Sequence, residues 1–139
     1  MGDSRPVRFI VVGVLNTAID FGILLLLTSL GMGMFLANVI STSTAFGFSF
    51  VANRSFTFRS SGDARVQIVK FAAVTLVGLW LLQPLVIWGT MLLVSGVASQ
   101  SLALLLGKAC ATVVSMLWNY ILYARYVFVP VADSREVRE

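Results

Sequence analysis

Asp20 and Lys108 lie deep within long apolar runs of the sequence, where a bare charge costs at least a few kcal/mol to insert in a membrane. Residues so placed need a partner or water, and in membrane proteins they mark paths for ions and polar substrates. Small and polar residues recur around them at helical spacing. Gly13, Asn16, Thr17 and Asp20 share one helix face; Lys108 heads a stripe through Ala111, Thr112, Ser115 and Asn119; and Asn38, Ser41, Thr42, Ala45 and Ser49 make a third. Such stripes let helices approach closely and hydrogen-bond in any compact bundle, and packing alone accounts for their Gly, Ala, Ser and Thr positions. It does not account for an aspartate and a lysine. Asn16, Asp20, Asn38, Lys108 and Asn119 are therefore the candidate contacts for a polar ligand inside the membrane. Asp20 lies about 18 Å along a helix from Arg8 and Lys108 about 25 Å from Arg125, so the long lysine stem and helix tilt are needed for the two charges to act as a coupled pair. The alternative is that Lys108 extends to the external headgroups.

Arg54 and Arg125 belong to a second set. Asn53-Arg54-Ser55-Phe56-Thr57-Phe58-Arg59 closes one apolar run and Arg125-Tyr126-Val127-Phe128 another. A guanidinium matches phosphate oxygens in a bidentate fork, so these ends suit a phosphate-binding rim. They equally suit an interfacial aromatic belt with topology-setting cations. Gln83-Pro84 interrupts a third run. Proline lacks the backbone donor and clashes with the carbonyl of Trp80, so a kink or an unwound turn is expected there, either lining a polar cavity or simply bending the helix.

These residues must be held by four elements. Of 139 residues, 58% are hydrophobic and 12% charged, against roughly a quarter charged in soluble domains. Four apolar stretches, at about 9–29, 35–52, 71–93 and 101–123, each approach the roughly 20 residues that cross a bilayer. The expected fold is all-α, an integral membrane bundle of four transmembrane helices forming a single domain over 1–139. The first stretch follows Arg5 and Arg8 like a signal peptide, but it is longer than a normal signal core and leads into a second span, so a retained helix is expected.

Arg5, Arg8, Arg54, Arg59, Arg65, Lys70, Arg125, Arg135 and Arg138 all flank one set of helix ends, and the connections near Gly31 and Gly96 carry no charge. The positive-inside rule then puts both termini and the central loop in the cytoplasm. Cys110 is the single cysteine and histidine is absent, which excludes a disulfide framework and any soft-ligand metal site. No cofactor is expected. The net charge of +4 lies beside apolar spans without aromatic interleaving of a nucleic-acid surface, so nucleic acid is not an expected partner. Without a histidine to pair with serine or cysteine, an enzyme is not expected either.

The halves resemble each other. Arg8-Phe9 opens the first as Lys70-Phe71 opens the second, and Ala37 to Phe58 aligns without gaps on Gly107 to Phe128. The expectation is two parallel two-helix repeats related by an axis along the membrane normal.

Taken together, Arg8-Phe9 with Gly13, Asn16-Thr17 and Asp20, then Asn53-Arg54-Ser55-Phe56-Thr57-Phe58, then Lys108 with Arg125-Tyr126-Val127-Phe128, resemble the GtrA-like family of small four-helix membrane proteins, from about Arg8 to Phe128. The resemblance implies translocation of a polyprenyl-phosphate-linked sugar across the cytoplasmic membrane for cell-surface polysaccharides, with a cytoplasmic-face glycosyltransferase as partner. Other family roles stay open, among them a non-transporting anchor that recruits the transferase. A small-molecule exporter of the four-helix drug-resistance kind would use a first-span carboxylate such as Asp20, but Lys108 and the Arg-rich aromatic ends fit it poorly. A sugar phosphate needs a polar groove while its isoprenoid tail stays in membrane lipid. Four helices are few for an enclosed path, so a homo-oligomer or a groove open to lipid would complete it.

Overall fold

The computed structural model describes residues 4–97 and 99–129, and among them the regular structure is helical, with no strand. Helix α1 is Arg5–Ser29, α2 Met34–Ala52, α3 Ala64–Val77, α4 Gln83–Val94 and α5 Gln100–Leu122. Three π turns extend them: Asn53–Thr57 after α2, Gly78–Leu82 between α3 and α4, and Tyr123–Val127 after α5. Counted through these turns, four helices among the described residues are long and apolar enough to cross a membrane: Arg5–Ser29, Met34–Thr57, Ala64–Val94 and Leu102–Val127. A helix meets every internal backbone hydrogen bond within itself, which a hydrocarbon environment demands.

Local chemistry sets the boundaries. Pro6 stands in the first turn of α1, where no backbone donor is required. Asp63 caps α3 by accepting the Arg65 amide at 2.8 Å, and Ser99 caps α5 through the Leu102 amide at 3.4 Å. Gly31 and Gly96 take positive φ, +87° and +94°, where the chain reverses after α1 and after α4. The helices outrun the apolar stretches at their basic ends. Asn53–Thr57 and Tyr123–Val127 are helical although they carry Arg54 and Arg125, because long charged side chains reach the headgroups without unwinding the backbone that bears them. Arg135 and Arg138 lie outside the described residues.

The described chain forms two compact units, divided between Ser61 and Gly62. In the first, α1 packs against α2 and its π turn. Ala37, Ser41, Ala45, Asn53, Thr57 and Phe58 are buried, and Phe9 meets Phe58 with ring centroids 6.4 Å apart. In the second, α4 packs against α5, and α3 against the last π turn. There Ala111, Ser115, Tyr123, Val127 and Phe128 are buried, and Phe71 stacks on Tyr123 at 4.6 Å and meets Phe128 at 6.1 Å.

The repeat read from the sequence reappears in three dimensions. Apart from Phe50, which aligns with the half-buried Tyr120, each buried residue of α2 and its π turn aligns with a buried residue of α5 and its π turn, from Ala37 with Gly107 to Phe58 with Phe128. The π turns themselves coincide in that alignment. Their closing bonds match too, Phe58 N–H to the Asn53 carbonyl at 2.9 Å and Phe128 N–H to the Tyr123 carbonyl at 2.8 Å. The remaining π turn, Gly78–Leu82, immediately precedes Gln83-Pro84. It is the interruption expected from the proline, and α1 runs without one.

Candidate functional site

The turn at Gly31 makes α1 and α2 an antiparallel pair. Asp20 and Thr42 lie equally far from that glycine along the chain, so the hairpin sets them opposite one another. Thr42 Oγ1 donates to Asp20 Oδ1 at 3.4 Å, and the carboxylate is half-buried. One turn along α1 toward its basic end, Asn16 is half-buried with its Oδ1 enclosed and unpartnered. Thr17, on the same stripe, turns its hydroxyl back to the Gly13 carbonyl at 3.1 Å, which satisfies it within the helix. Asn16 and Asp20 are thus the two groups of that stripe with acceptor capacity left for a ligand.

At the basic end of this unit, Arg8 lies over Phe56, with its guanidinium carbon 5.4 Å from the ring centroid, and donates from Nη1 to the Phe56 carbonyl at 3.3 Å. Arg54 is half-buried on the π turn. Beneath it, Asn53 donates from Nδ2 to the Ser49 carbonyl at 2.8 Å, while its Oδ1 and the Thr57 hydroxyl are enclosed and unpartnered. The sequence pattern singles out Arg54 and passes over Asn53 and Thr57. Their spacing of four continues the Ser41–Ala45–Ser49 seam and is the signal that identifies them.

The third stripe divides. Ser41 and Ala45 enter the buried seam, whereas Asn38 and Thr42 stay exposed beside it. Asn38 serves the fold through its carbonyl, which accepts the Ser41 hydroxyl at 3.1 Å. The Lys108 stripe divides in the same way. Ala111 and Ser115 are buried and Asn119 half-buried, while Lys108 and Thr112 are exposed. Asn119 has an enclosed, unpartnered Oδ1 and lies across Gly78, whose absent Cβ would sit 3.3 Å from that oxygen. Thr112 donates to the Lys108 backbone carbonyl at 2.8 Å, and the Lys108 side chain is exposed in its unit. Arg125, on the last π turn, is exposed. Asp20 and Lys108 belong to different units, and within its own unit Asp20 meets Thr42. Among the described residues no group of three or more acidic or cysteine side chains could hold a metal ion.

Four helices of spanning length, an apolar exterior and a few polar groups set into it define an integral membrane protein. The chain belongs to the GtrA/DPMS transmembrane domain family, whose profile matches residues 8–128. Membership puts it among membrane proteins of lipid-linked sugar handling. It is also 32% identical over 123 residues to the uncharacterized membrane protein YngA of Bacillus subtilis (strain 168), a match that covers 87% of this chain and 77% of that one.

Proposed function

We propose that this protein moves a polyprenyl-phosphate-linked sugar across the cytoplasmic membrane, with the basic helix ends and both termini on the cytoplasmic side. The observation that carries the reading is Asp20, a carboxylate with a single hydroxyl partner, Thr42, and the one ionisable residue between Arg8 and Arg54 in its helix pair. A bare carboxylate there is costly, and the hydroxyls of a sugar are the donors that a partly satisfied carboxylate and the Asn16 carbonyl oxygen accept. The phosphate requires the opposite sign. It finds Arg8 and Arg54 at the helix ends, about 18 Å along α1 from Asp20. One headgroup is too small to hold both ends of that ladder together, so the two sets act in succession: the arginines receive the phosphate, and Asn16 and Asp20 take over the sugar as it enters the hydrocarbon. The isoprenoid tail stays in lipid throughout. No bond is made or broken, so the protein is a carrier rather than an enzyme, working beside the glycosyltransferase that charges the lipid.

The test is reconstitution in vesicles loaded on one leaflet with a short-chain polyprenyl-phosphate sugar, scored by protection of the sugar from a membrane-impermeant oxidant. Asp20→Asn is expected to slow translocation at least tenfold while protein abundance and helix content stay unchanged. Wild-type rates in that variant would sink the carrier reading. They would favour a membrane anchor for the glycosyltransferase, a role that the exposed Arg59, Arg65, Lys70 and Arg125 also suit.

A further inference from the structure

The two basic-aromatic helix ends are aligned in sequence, but they are built differently. In the first unit, Arg8 covers Phe56 and bonds to its carbonyl, so cation and ring fill the space between the start of α1 and the π turn. In the second unit the aligned residues are Lys70 and Tyr126. Both are exposed, and among the described residues Lys70 makes no ion pair, hydrogen bond or ring contact. In place of the filled contact there is an open recess of about 220 Å³, lined by Asp63 at the cap of α3, by Gln67 and Lys70 of α3, and by Tyr126, Val127 and Val129.

The chemistry of the lining is specific. Gln67 and Lys70 are spaced to share one face of α3, and Asp63 stands at the cap one turn before Gln67. Gln67 is 4% exposed and lies at the bottom, with Asp63 and Lys70 exposed at the rim. Asp63 uses one carboxylate oxygen on the Arg65 amide at 2.8 Å, which leaves the other as an acceptor. Tyr126 offers a phenol and a ring face, Lys70 an ammonium, and the two valines an apolar patch. A carboxylate for hydroxyls, a ring and aliphatic carbons for the C–H face of a pyranose or furanose, and an ammonium for a phosphate are together what a sugar phosphate requires. A simple anionic lipid phosphate would engage Lys70 alone, because it brings no hydroxyls for the Asp63 carboxylate and no sugar ring for Tyr126.

We propose that this recess is the docking site for the phosphorylated sugar headgroup at the membrane surface. The assignment rests on the carrier reading above and adds a docking step that comes before Arg8 and Arg54 receive the phosphate. Lys70 holds the phosphate and Asp63 and Tyr126 hold the sugar. In the first unit the corresponding end is occupied by the contact of Arg8 with Phe56.

The experiment uses the full chain in detergent and measures equilibrium binding of short-chain polyprenyl-phosphate glucose or arabinose, with the free sugar 1-phosphates and inorganic phosphate as separate arms. Lys70→Arg combined with Tyr126→Phe copies the first unit's pair and should close the recess, lowering affinity for the lipid-linked sugar at least tenfold. Asp63→Asn removes the charge but keeps an N-cap, so it should weaken binding several-fold without altering the melting temperature. If the wild type binds the lipid-linked sugar and both variants bind it equally well, the recess is not the site and the carrier reading stands. If the wild type binds neither lipid-linked sugar, the carrier reading itself fails. Free sugar 1-phosphate bound as tightly as the lipid form would support the recess and make the ligand's source the soluble sugar phosphate, whereas inorganic phosphate competing as well as either would overturn the sugar assignment.

Discussion

Gly107 and Gly13 occupy helix faces that look alike in sequence, and they do different work. A Cβ at Gly107 would stand 3.2 Å from the Ile87 carbonyl oxygen and 3.3 Å from its Cα, so α4 and α5 approach to backbone contact there. At Gly13 a Cβ would meet nothing within 4 Å. Gly107→Leu should therefore cost about 1–3 kcal/mol by overpacking a contact whose backbone side cannot yield. Gly13→Ala should be neutral or stabilise by up to about 1 kcal/mol through helix propensity. Unfolding in detergent, followed by circular dichroism, distinguishes them, and equal shifts in the two variants would mean that the close approach is not a feature of the folded protein. The same contrast shows what single residues disclose in sequence. Asp20 was legible because a charge in an apolar run needs a reason. Its partner Thr42 required the hairpin about Gly31, and the enclosed Asn53 and Thr57 required the knowledge that α2 continues past its last apolar residue. Composition near an arginine argues against that continuation, while backbone hydrogen bonding in a membrane enforces it.

Among the elements, the paired π turns were the feature least visible beforehand. A π turn carries one residue more than an α turn, and the extra residue leaves no mark on hydrophobic periodicity over so short a stretch. Its consequence is positional. It brings Phe58 onto Phe9 and Phe128 onto Phe71, with ring centroids at 6.4 Å and 6.1 Å, and the two phenylalanines that end the seams are 7% and 1% exposed. Because one π turn is an α turn with an inserted residue, deleting the exposed Ser55 should return Asn53–Thr57 to α geometry with Phe58 still in the seam. Inserting an alanine after Ser55 should instead rotate Phe58 by about 100° and expose it. The deletion is expected to change stability by less than about 1 kcal/mol, and the insertion to cost about 3–5 kcal/mol, the scale of losing a buried phenylalanine. Comparable losses in both would show that the local π geometry, rather than the phase of the seam, is what the fold requires. The proline-linked turn at Gly78–Leu82 was foreseeable as an interruption, because Pro84 names the missing donor, although its π form was not.

For the molecule as a whole, the sequence carried the four spans, the helical class and the internal repeat, because each rests on patterns repeated over many residues. The functional groups were only partly legible, since the seam at spacing four absorbs Ser41 and Ser115 into packing and leaves Asn38 and Lys108 outside it. The remaining whole-molecule property is sidedness, and charge decides it. Arg5, Arg8, Arg54, Arg59, Arg65 and Arg125 lie at or near one set of helix ends, with Lys70 two turns into α3 from the same end, whereas the turns at Gly31 and Gly96 have no neighbouring charge. Lys108 is the exception, set eight residues into α5 from Gln100, about 12 Å along the helix. A stem of that length can snorkel toward the nearer surface, so a single lysine on the uncharged side opposes seven cations on the other. Orientation follows the cations of short loops, and all these connections are short. Reporters fused within 60–65 and at the end of the chain should therefore read as cytoplasmic, and reporters near Gly31 or Gly96 as external. Replacing Lys108 by Gln should leave that pattern intact, because the bias it removes is the minor one. Moving Arg59 and Arg65 into the turns near Gly31 and Gly96 should shift a measurable share of the population toward the inverted form. An external reading at the carboxyl terminus of the unaltered chain would reverse the assignment of every basic helix end, and would place the Arg8, Arg54 and Lys70 groups on the face to which a sugar-lipid is delivered rather than the face from which it is taken.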